Sequence, residues 1–566
     1  EWLRVFNAPV PKGVPERLRP VQAWAIWEAA NVGGVVGNLG VGVGKTLLTY
    51  LLPTALDAQR PLLLVPGNLK RKTEIDFQSY AGVWRGHPNL RVVTYQTLSR
   101  VNSEKLMEHV VPDLIIADEV HFLKNTQAGC TRRVKRWMEA HPDTRFVGLS
   151  GTITRRSIMD YAHLSKWALK AGSPLPQSLN DLLDWADALD EGVPDEQRPN
   201  PGSLWAFCGQ GETPRMGYRR RLLETPGVVA SESPLVQRAD GTDVALNIIE
   251  RIPDAVPAAV GAALDSLRAT WQTPSGDELV SAIEASARAR EIALGFYYRW
   301  DWPTVTDPAV RATMGHTGLC KPDCNKDHVW LNARKAWRKY VRGVIKNSQQ
   351  SSRPMDTEQQ VALAVSNGQL TPPDNEYFAW VAVRDRWDPE KLKKAVWMDD
   401  FLVKDVAKWI QDCKQSGHKG IVWAESLALL EQLHAALPDV PFYPSGDDGI
   451  ITATETCIAA MSHRTGKNLQ QFNANLVVEI STSGNDWEQM LGRTHRSGQQ
   501  ADEVTAELYL HTVEMWEAFA QARRDASYVE ETWKQVQRLS YATIVVSTPQ
   551  DVVHRALAKD PLWFKP

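Results

Sequence analysis

Three short stretches of this 566-residue chain carry residue types suited to phosphate chemistry. In Asn38-Leu-Gly-Val-Gly-Val-Gly-Lys-Thr46, spaced glycines lead into a lysine, a threonine and an apolar run beginning Leu47-Leu48. Glycines let backbone N–H groups curl around phosphate oxygens, and a helix N-terminus adds partial positive charge. Gly42 and Gly44 would shape such a loop, Lys45 would reach the β- and γ-phosphates, and the Thr46 hydroxyl would ligate Mg²⁺. In Leu114-Ile-Ile-Ala-Asp-Glu-Val-His121 an apolar run ends in two acids. Asp118 would hold Mg²⁺, directly or through water, and Glu119 would orient and polarise an attacking water. The third stretch, Gln489-Met-Leu-Gly-Arg-Thr-His-Arg-Ser-Gly-Gln499, sets Arg493 and Arg496 three residues apart. Few carboxylates lie near them in sequence, so their partner comes from elsewhere in the chain or from a ligand.

These residues need strands to hold them. Short apolar runs recur over the first 150 residues at Gly34–Val36, Leu62–Val65, Val92–Tyr95, Leu114–Ala117 and Phe146–Leu149, with helical stretches between most of them. Buried strands alternating with helices predict a parallel sheet covered on both faces. A strand of that kind ending in Asp118-Glu119 puts both carboxylates at the carboxyl edge, where nucleotides bind. The pattern returns at Gly420–Ala424, Cys457–Met461, Leu476–Ile480 and Val504–Leu510, predicting a second α/β lobe. Residues 175–400 between them read as helix-rich, proline-punctuated and poor in strand signals, with loops at Pro199–Gly202 and Thr371–Asp374. The organisation expected is therefore 1–174, a first lobe with the phosphate loop; 175–400, an insertion; and 401–566, a second lobe.

Composition narrows the class. Hydrophobic residues make up 43% and charged residues 23%, which is globular and ample for large cores. The 22 tryptophans are unusual, and buried helix packing accounts for most of them. A formal charge of −3 provides no global field toward nucleic acid, so any such contact would use local basic patches. Six scattered cysteines are too few for a disulfide framework and point to a reducing compartment. Glu1 opens the chain without a signal-peptide layout, and no apolar run reaches membrane-span length, so no membrane partner is expected.

With these residues in view, the chain resembles the Swi/Snf-type ATPases of the superfamily-two helicases, the small phage or bacterial kind. Asp118-Glu-Val-His-Phe-Leu-Lys-Asn125 resembles the family's DEAHxLKN, and QMLGRTHRSGQ resembles QAxGRxHRxGQ. Leu18-Arg-Pro-Val-Gln22 is similar to the adenine-contacting glutamine motif, Leu149-Ser-Gly-Thr152 to the motif coupling nucleotide to DNA, and Gly466-Lys-Asn-Leu-Gln470 to GLNLQ. Leu39 stands where the strict phosphate-loop pattern has glycine, which fits the shorter GxGKT form, Gly42 to Thr46. The segments Tyr443–Cys457 and Ser483–Trp487 are compressed relative to the family.

The resemblance implies two RecA-like parallel-sheet lobes, ATP with Mg²⁺ as cofactors and duplex DNA as partner. It makes Gln22 an adenine contact and places Arg493 and Arg496 across a cleft, against the γ-phosphate. Chemistry agrees with that last point, because a metaphosphate-like transition state spreads charge that an arginine stabilises. It also implies a cytoplasmic, nucleoid-associated protein of a bacterial or phage-infected cell. Protein partners are not indicated.

Two features of the middle region lie outside the resemblance. Arg334, Arg338, Arg342 and Lys346 repeat every four residues along a predicted helix, with Lys335 and Lys339 beside them, and such a stripe suits a phosphate backbone or a solvated face equally. His316, Cys320, Cys324 and His328 have three residues between each and the next, a set that could close tetrahedrally on a structural zinc. DNA-stimulated ATP hydrolysis driving movement along duplex DNA is the activity these features favour. A strand-separating helicase would need a wedge, and an ATP-dependent scaffold without turnover would not need Glu119 or the arginines.

Overall fold

The computed structural model describes residues 3–5, 10–11, 14–100, 105–126, 128–154, 156–190, 202–231, 236, 242–321, 323–348 and 355–557. Val35–Asn38 (β1), Pro61–Val65 (β2), Arg91–Thr94 (β3), Leu114–Asp118 (β4), Arg145–Ser150 (β5) and Val228–Ala230 (β6) form one sheet in the order β3-β2-β4-β5-β1-β6. Every pairing is parallel. Both faces are covered, which is why β2 (Pro-Leu-Leu-Leu-Val) and β4 (Leu-Ile-Ile-Ala-Asp) are buried from end to end rather than alternating.

The second sheet draws on Ala245–Arg251 (β7), Gly420–Ala424 (β10), Phe442–Tyr443 (β11), Cys457–Ala460 (β12), Ala474–Val477 (β13), Glu503–Tyr509 (β14) and Thr543–Val545 (β15). Its order is β11-β12-β10-β13-β14-β7-β15, again all parallel. Phe296–Trp300 (β8) and Lys393–Trp397 (β9) pair separately as an antiparallel ladder. The apolar runs read as strands from the sequence are β1 to β5, β10, β12, β13 and β14. The protein is thus α/β, with two large parallel sheets.

The middle stretch gives up more of itself to the sheets than its composition suggests. β6 and β7 both lie within 175–400, as do the helices Leu179–Leu189 and Pro214–Glu224. Leu182, Trp185, Leu189, Tyr218 and Leu222 on those helices share one core with Phe146 and Trp167 of the first lobe. Physical reasons explain the missed strands. Val228–Ala230 is three residues long, and β7 carries Asn247, Glu250 and Arg251, whose charge is absorbed by neighbours: Arg251 pairs with Asp405 at 2.5 Å and Glu507 at 3.2 Å.

What remains of the excursion is helical and tryptophan-rich. Trp330 meets Trp300, Trp302 and Trp380 edge-on at 5.6, 5.7 and 5.1 Å, which is where several of the unusual tryptophans go. The His328–Ser348 helix buries Trp337, Val341 and Ile345 against Val361 and Val365 of the Glu358–Ser366 helix.

The two lobes meet directly. Arg156 Nε donates to Asp525 Oδ1 at 2.6 Å, Arg215 pairs with Glu531 at 2.8 Å, and Trp533, at the end of the Val513–Trp533 helix, is buried in the first lobe's core. Among the described residues no helix is long and apolar enough to cross a membrane.

Candidate functional site

Sheet order builds the site. β4, β5 and β1 are consecutive neighbours, so their carboxyl ends deliver Asp118, Ser150 and Asn38 side by side. The glycine-rich loop leaves β1 at Asn38 and enters the Lys45–Ala55 helix through Gly44. Gly42 and Gly44 take φ of +88° and +85°, which a side chain resists, and a Cβ on Gly44 would lie 2.3 Å from Gln22 Nε2.

The loop is braced from three sides. Leu39 N donates to the Ser150 carbonyl and Gly40 N to Ser231 Oγ, both at 2.7 Å. Arg19 donates to the Gly42 carbonyl at 2.7 Å. Gln22, buried, donates Nε2 to the carbonyls of Val43 and Gly44 at 3.0 and 3.1 Å, while its Oε1 accepts from Arg19 N at 2.8 Å. Both amide hydrogens of Gln22 are therefore engaged by the loop, so in this arrangement the residue expected to meet adenine is a loop brace.

Lys45 Nζ donates to the Leu39 carbonyl at 3.0 Å and sits 3.8 Å from Glu119. Thr46 follows it, half-buried, in the first turn of the helix. Glu119 adopts a left-handed backbone, φ +52°, uncommon for a residue with a side chain and a form of local strain that clusters at functional sites. Its carboxylate accepts from Ser150 Oγ at 3.0 Å and lies 3.4 Å from His121 Nδ1. Burial, reinforced by the Glu119 carboxylate next door, pushes Asp118 up to about 7. Burial acts on Glu119 too, but Lys45, His121 and Ser150 outweigh it and hold that group well below the usual carboxylate range. One acid of the pair is thus kept ionised, as a group that polarises water must be.

The second lobe closes over this edge. Arg493 lies buried near the end of the Gly484–Thr494 helix, its guanidinium donating to the carbonyls of Arg464 at 2.6 Å and Lys467 at 3.3 Å. Arg496 donates to Asn468 Oδ1 at 2.5 Å, and its Nη2 would lie 3.7 Å from a Cβ placed on Gly42. A Cβ on Gly492 would likewise touch Val41 of the loop at 3.2 Å. Burial and then the like charge of Arg496 bring Arg493 down to about 10. Lys72, from the Lys70–Tyr80 helix of the first lobe, joins them: partial burial lowers it against the pull of Asp76, and Arg493 and Arg496 lower it further. Lys45, Lys72, Arg493 and Arg496 thus converge on the edge that holds Asp118 and Glu119. Such a cleft can bind a polyanion and water together.

Hydrogen bonds tie the acids to the lobe boundary. Ser150 Oγ, bonded to Glu119, also accepts from Thr152 N at 3.1 Å. Asn485 Nδ2, in the first turn of the arginine helix, reaches the carbonyls of Thr152 and Thr154 at 3.4 and 3.3 Å. Sequence reasoning missed Lys72, Ser231 and Asn485; the position of Asn485 eight residues before Arg493 on one helix was the available signal.

The basic helix of the excursion departs from expectation. Arg334 and Arg338 face inward: Arg334 packs over the rings of Trp300 and Trp330 and lies 3.6 Å from Asp277. Arg338 is buried, at 2.6 Å from Glu284 and 3.4 Å from Glu358. Both are structural ion pairs rather than phosphate contacts, because the acids of three neighbouring segments neutralise them. Arg342 stays exposed over the Trp271 ring, and with Lys335, Lys339 and Lys346 it makes a solvent-facing stripe on the adjoining face of the helix. His316, Cys320, Cys324 and His328 lie just before and at the start of this helix, in the excursion rather than in the cleft.

No protein-family model matches the chain, and no curated protein matches it either, so the cleft is read from its own chemistry.

Four cations held together cost stability that a polyanion restores. Inorganic tripolyphosphate should therefore raise the melting temperature of the wild-type protein at low salt, and should raise that of Arg496→Ala clearly less. Equal shifts in the two proteins would contradict a shared anion site.

Proposed function

We propose that the chain is a DNA-stimulated ATPase of RecA-like lobes that moves along duplex DNA and displaces or remodels what is bound there. The observation that carries this reading is the meeting of Lys45 and Glu119 from one lobe with Arg493 and Arg496 from the other across one cleft. In it, the Gly42–Thr46 loop takes the phosphates. Thr46 and Asp118 hold Mg²⁺, whose charge would also relieve the pressure of burial on Asp118, and Glu119 polarises the attacking water. Arg493 and Arg496 meet charge that develops on the γ-phosphoryl oxygens, a role that typically contributes on the order of 10³–10⁵ in rate. In this reading hydrolysis is coupled to lobe movement, and the division of the groups between the lobes supports it, since neither lobe holds a full set.

The duplex contact falls to the exposed stripe Lys335, Lys339, Arg342 and Lys346, which runs along one face of a 21-residue helix. Spacing of this kind presents cations along a line, as a phosphate backbone requires.

ATPase rate measured with no nucleic acid, duplex DNA, single-stranded DNA and RNA should be highest with duplex DNA. Lys45→Ala should abolish turnover through lost phosphate binding, while Glu119→Gln should keep ATP and lose hydrolysis. Equal loss of ATP binding in both variants would overturn this division of roles.

Replacing Lys335, Lys339, Arg342 and Lys346 with glutamine should weaken duplex binding and flatten its salt dependence, by about 0.9 in the log–log slope for each phosphate no longer neutralised. An unchanged slope would return the stripe to plain solvation. A third strand held on a duplex as a triplex should be ejected in an ATP-dependent way, with little strand release from a forked duplex. Efficient unwinding of the fork without triplex displacement would replace the translocase with a strand-separating helicase.

A further inference from the structure

Away from the cleft, the loop between the Pro308–Thr313 and His328–Ser348 helices gathers two imidazoles and two thiols. Ligand atoms of His316, Cys324 and His328 all lie within 4.8 Å of one another. Cys324 Sγ is 3.4 Å from His328 Nε2, and Cys320 Sγ is 3.5 Å from the same nitrogen. The rings of His316 and His328 meet edge-on with centroids 5.1 Å apart. All four residues are partly buried, and both cysteines are free thiols.

Hydrogen bonding does not account for this arrangement. A neutral imidazole nitrogen has one in-plane lone pair, so His328 Nε2 can accept from one thiol and not from two. His316 is worse served. Its Nδ1 lies 3.3 Å from the Arg311 guanidinium, and its buried Nε2 makes no well-formed hydrogen bond among the described residues, the ring having the Lys326 backbone as its remaining polar neighbour. A poorly partnered His316 nitrogen near the Cys324 thiol, with two thiols crowded on one lone pair of His328, is a costly group of polar atoms, unless an electrophile satisfies them together.

The distances say which electrophile. Bonds of about 2.3 Å to sulfur and 2.0–2.1 Å to nitrogen, set at the tetrahedral angle, put neighbouring sulfur and nitrogen ligands about 3.6 Å apart. The two measured sulfur–nitrogen separations match that edge. Two thiolates with two imidazoles form a soft, four-coordinate set that selects zinc over magnesium or calcium, and a closed set leaves no position for water or substrate.

The backbone is already shaped for it. The Cys320 amide donates to the Thr317 carbonyl and the Cys324 amide to Lys321, giving two tight turns that present the thiols, while the Met314 carbonyl accepts from His328 N at 2.9 Å. Arg311 donates to the Cys324 carbonyl at 3.0 Å, fixing that turn against the preceding helix.

We propose that His316, Cys320, Cys324 and His328 bind one structural zinc ion that locks this loop onto the first turn of the His328–Ser348 helix. The helix presenting Lys335, Lys339, Arg342 and Lys346 is thereby clamped at its N-terminal end. This inference stands on the loop's own geometry and does not depend on the nature of the cleft.

The test uses the full chain purified without chelator. Elemental analysis should find near-stoichiometric zinc, and the Cys320→Ser/Cys324→Ser double variant should lose at least nine-tenths of it. Misfolding of that variant would cloud the comparison, so the wild-type protein is also stripped of metal and titrated with Co²⁺ alone. A tetrahedral site with two thiolates gives intense visible absorption and a near-ultraviolet thiolate-to-cobalt band, and equimolar Zn²⁺ should abolish both. Wild-type protein that takes up no zinc when supplied with it, or a weak cobalt spectrum without the thiolate band, overturns the proposal. Zinc retained in full by the double variant does so as well.

Discussion

Asp118 and Glu119 are adjacent carboxylates enclosed at the carboxyl end of one sheet, and two such groups cannot both stay ionised there without cations nearby. Most of what the two lobes do locally is a response to that constraint. The glycine-rich loop folds Lys45 back to 3.8 Å from Glu119, and the three-strand neighbourhood of β4, β5 and β1 supplies Ser150 as a hydrogen-bond donor. The second lobe then adds Arg493, whose charge is felt at Glu119. These groups over-supply the edge. Burial lowers Lys72, Arg493 and Arg496 alike, and like charges add to it: Arg493 and Arg496 act on Lys72, Arg496 on Arg493, and Arg538 and Arg19 on Arg496.

The cleft and the lobe boundary are one network. Glu119 is bonded to Ser150, Ser150 to Thr152, and Thr152 offers its carbonyl to Asn485 at the start of the helix that carries Arg493. Sliding one lobe on the other must break the Asn485 contacts and shift Arg493 relative to Glu119 in the same movement, because a helix moves as a rigid element. Any ligand bridging Lys45 and Arg496 therefore acts on the position of the whole second lobe. The Arg156–Asp525 and Arg215–Glu531 pairs and the buried Trp533 join the lobes at the same boundary, so such a movement would also have to break those pairs or expose that ring.

The sequence was legible where one residue type has one physical use. Continuous apolar runs in β2, β4 and β10 can only be strands buried on both faces, and glycines before a lysine announced the loop at Gly42 and Gly44. It was illegible where a residue has two uses and packing decides between them. Arg334 and Arg342 look alike in sequence and both lie over tryptophan rings, and only the fold reveals that Arg334 is drawn inward beside Asp277 while Arg342, over Trp271, stays exposed. Gln22 had the right place for a nucleobase contact, yet its amide closes on Val43 and Gly44. β7 escaped notice because its buried period is only Leu246 and Ile248, and the strand then ends in Glu250 and Arg251, the latter neutralised by the sequence-distant Asp405 and Glu507. Partners distant in sequence erase such signals.

That same ambiguity gives the His328–Ser348 helix its design. Six basic residues along it would repel one another if they shared one face. Two are turned inward instead, where Asp277, Glu284 and Glu358 take their charge and fix the helix to its neighbours. The buried pairs contribute little net stability, because desolvation offsets most of their Coulombic gain, but they permit one rotation of the helix and penalise the others. With that rotation fixed, Lys335, Lys339, Arg342 and Lys346 have no choice but to face solvent together. The inward arginines therefore define where the outward charges can act, and the zinc proposed at the helix start would fix the remaining freedom, its slide along its own axis.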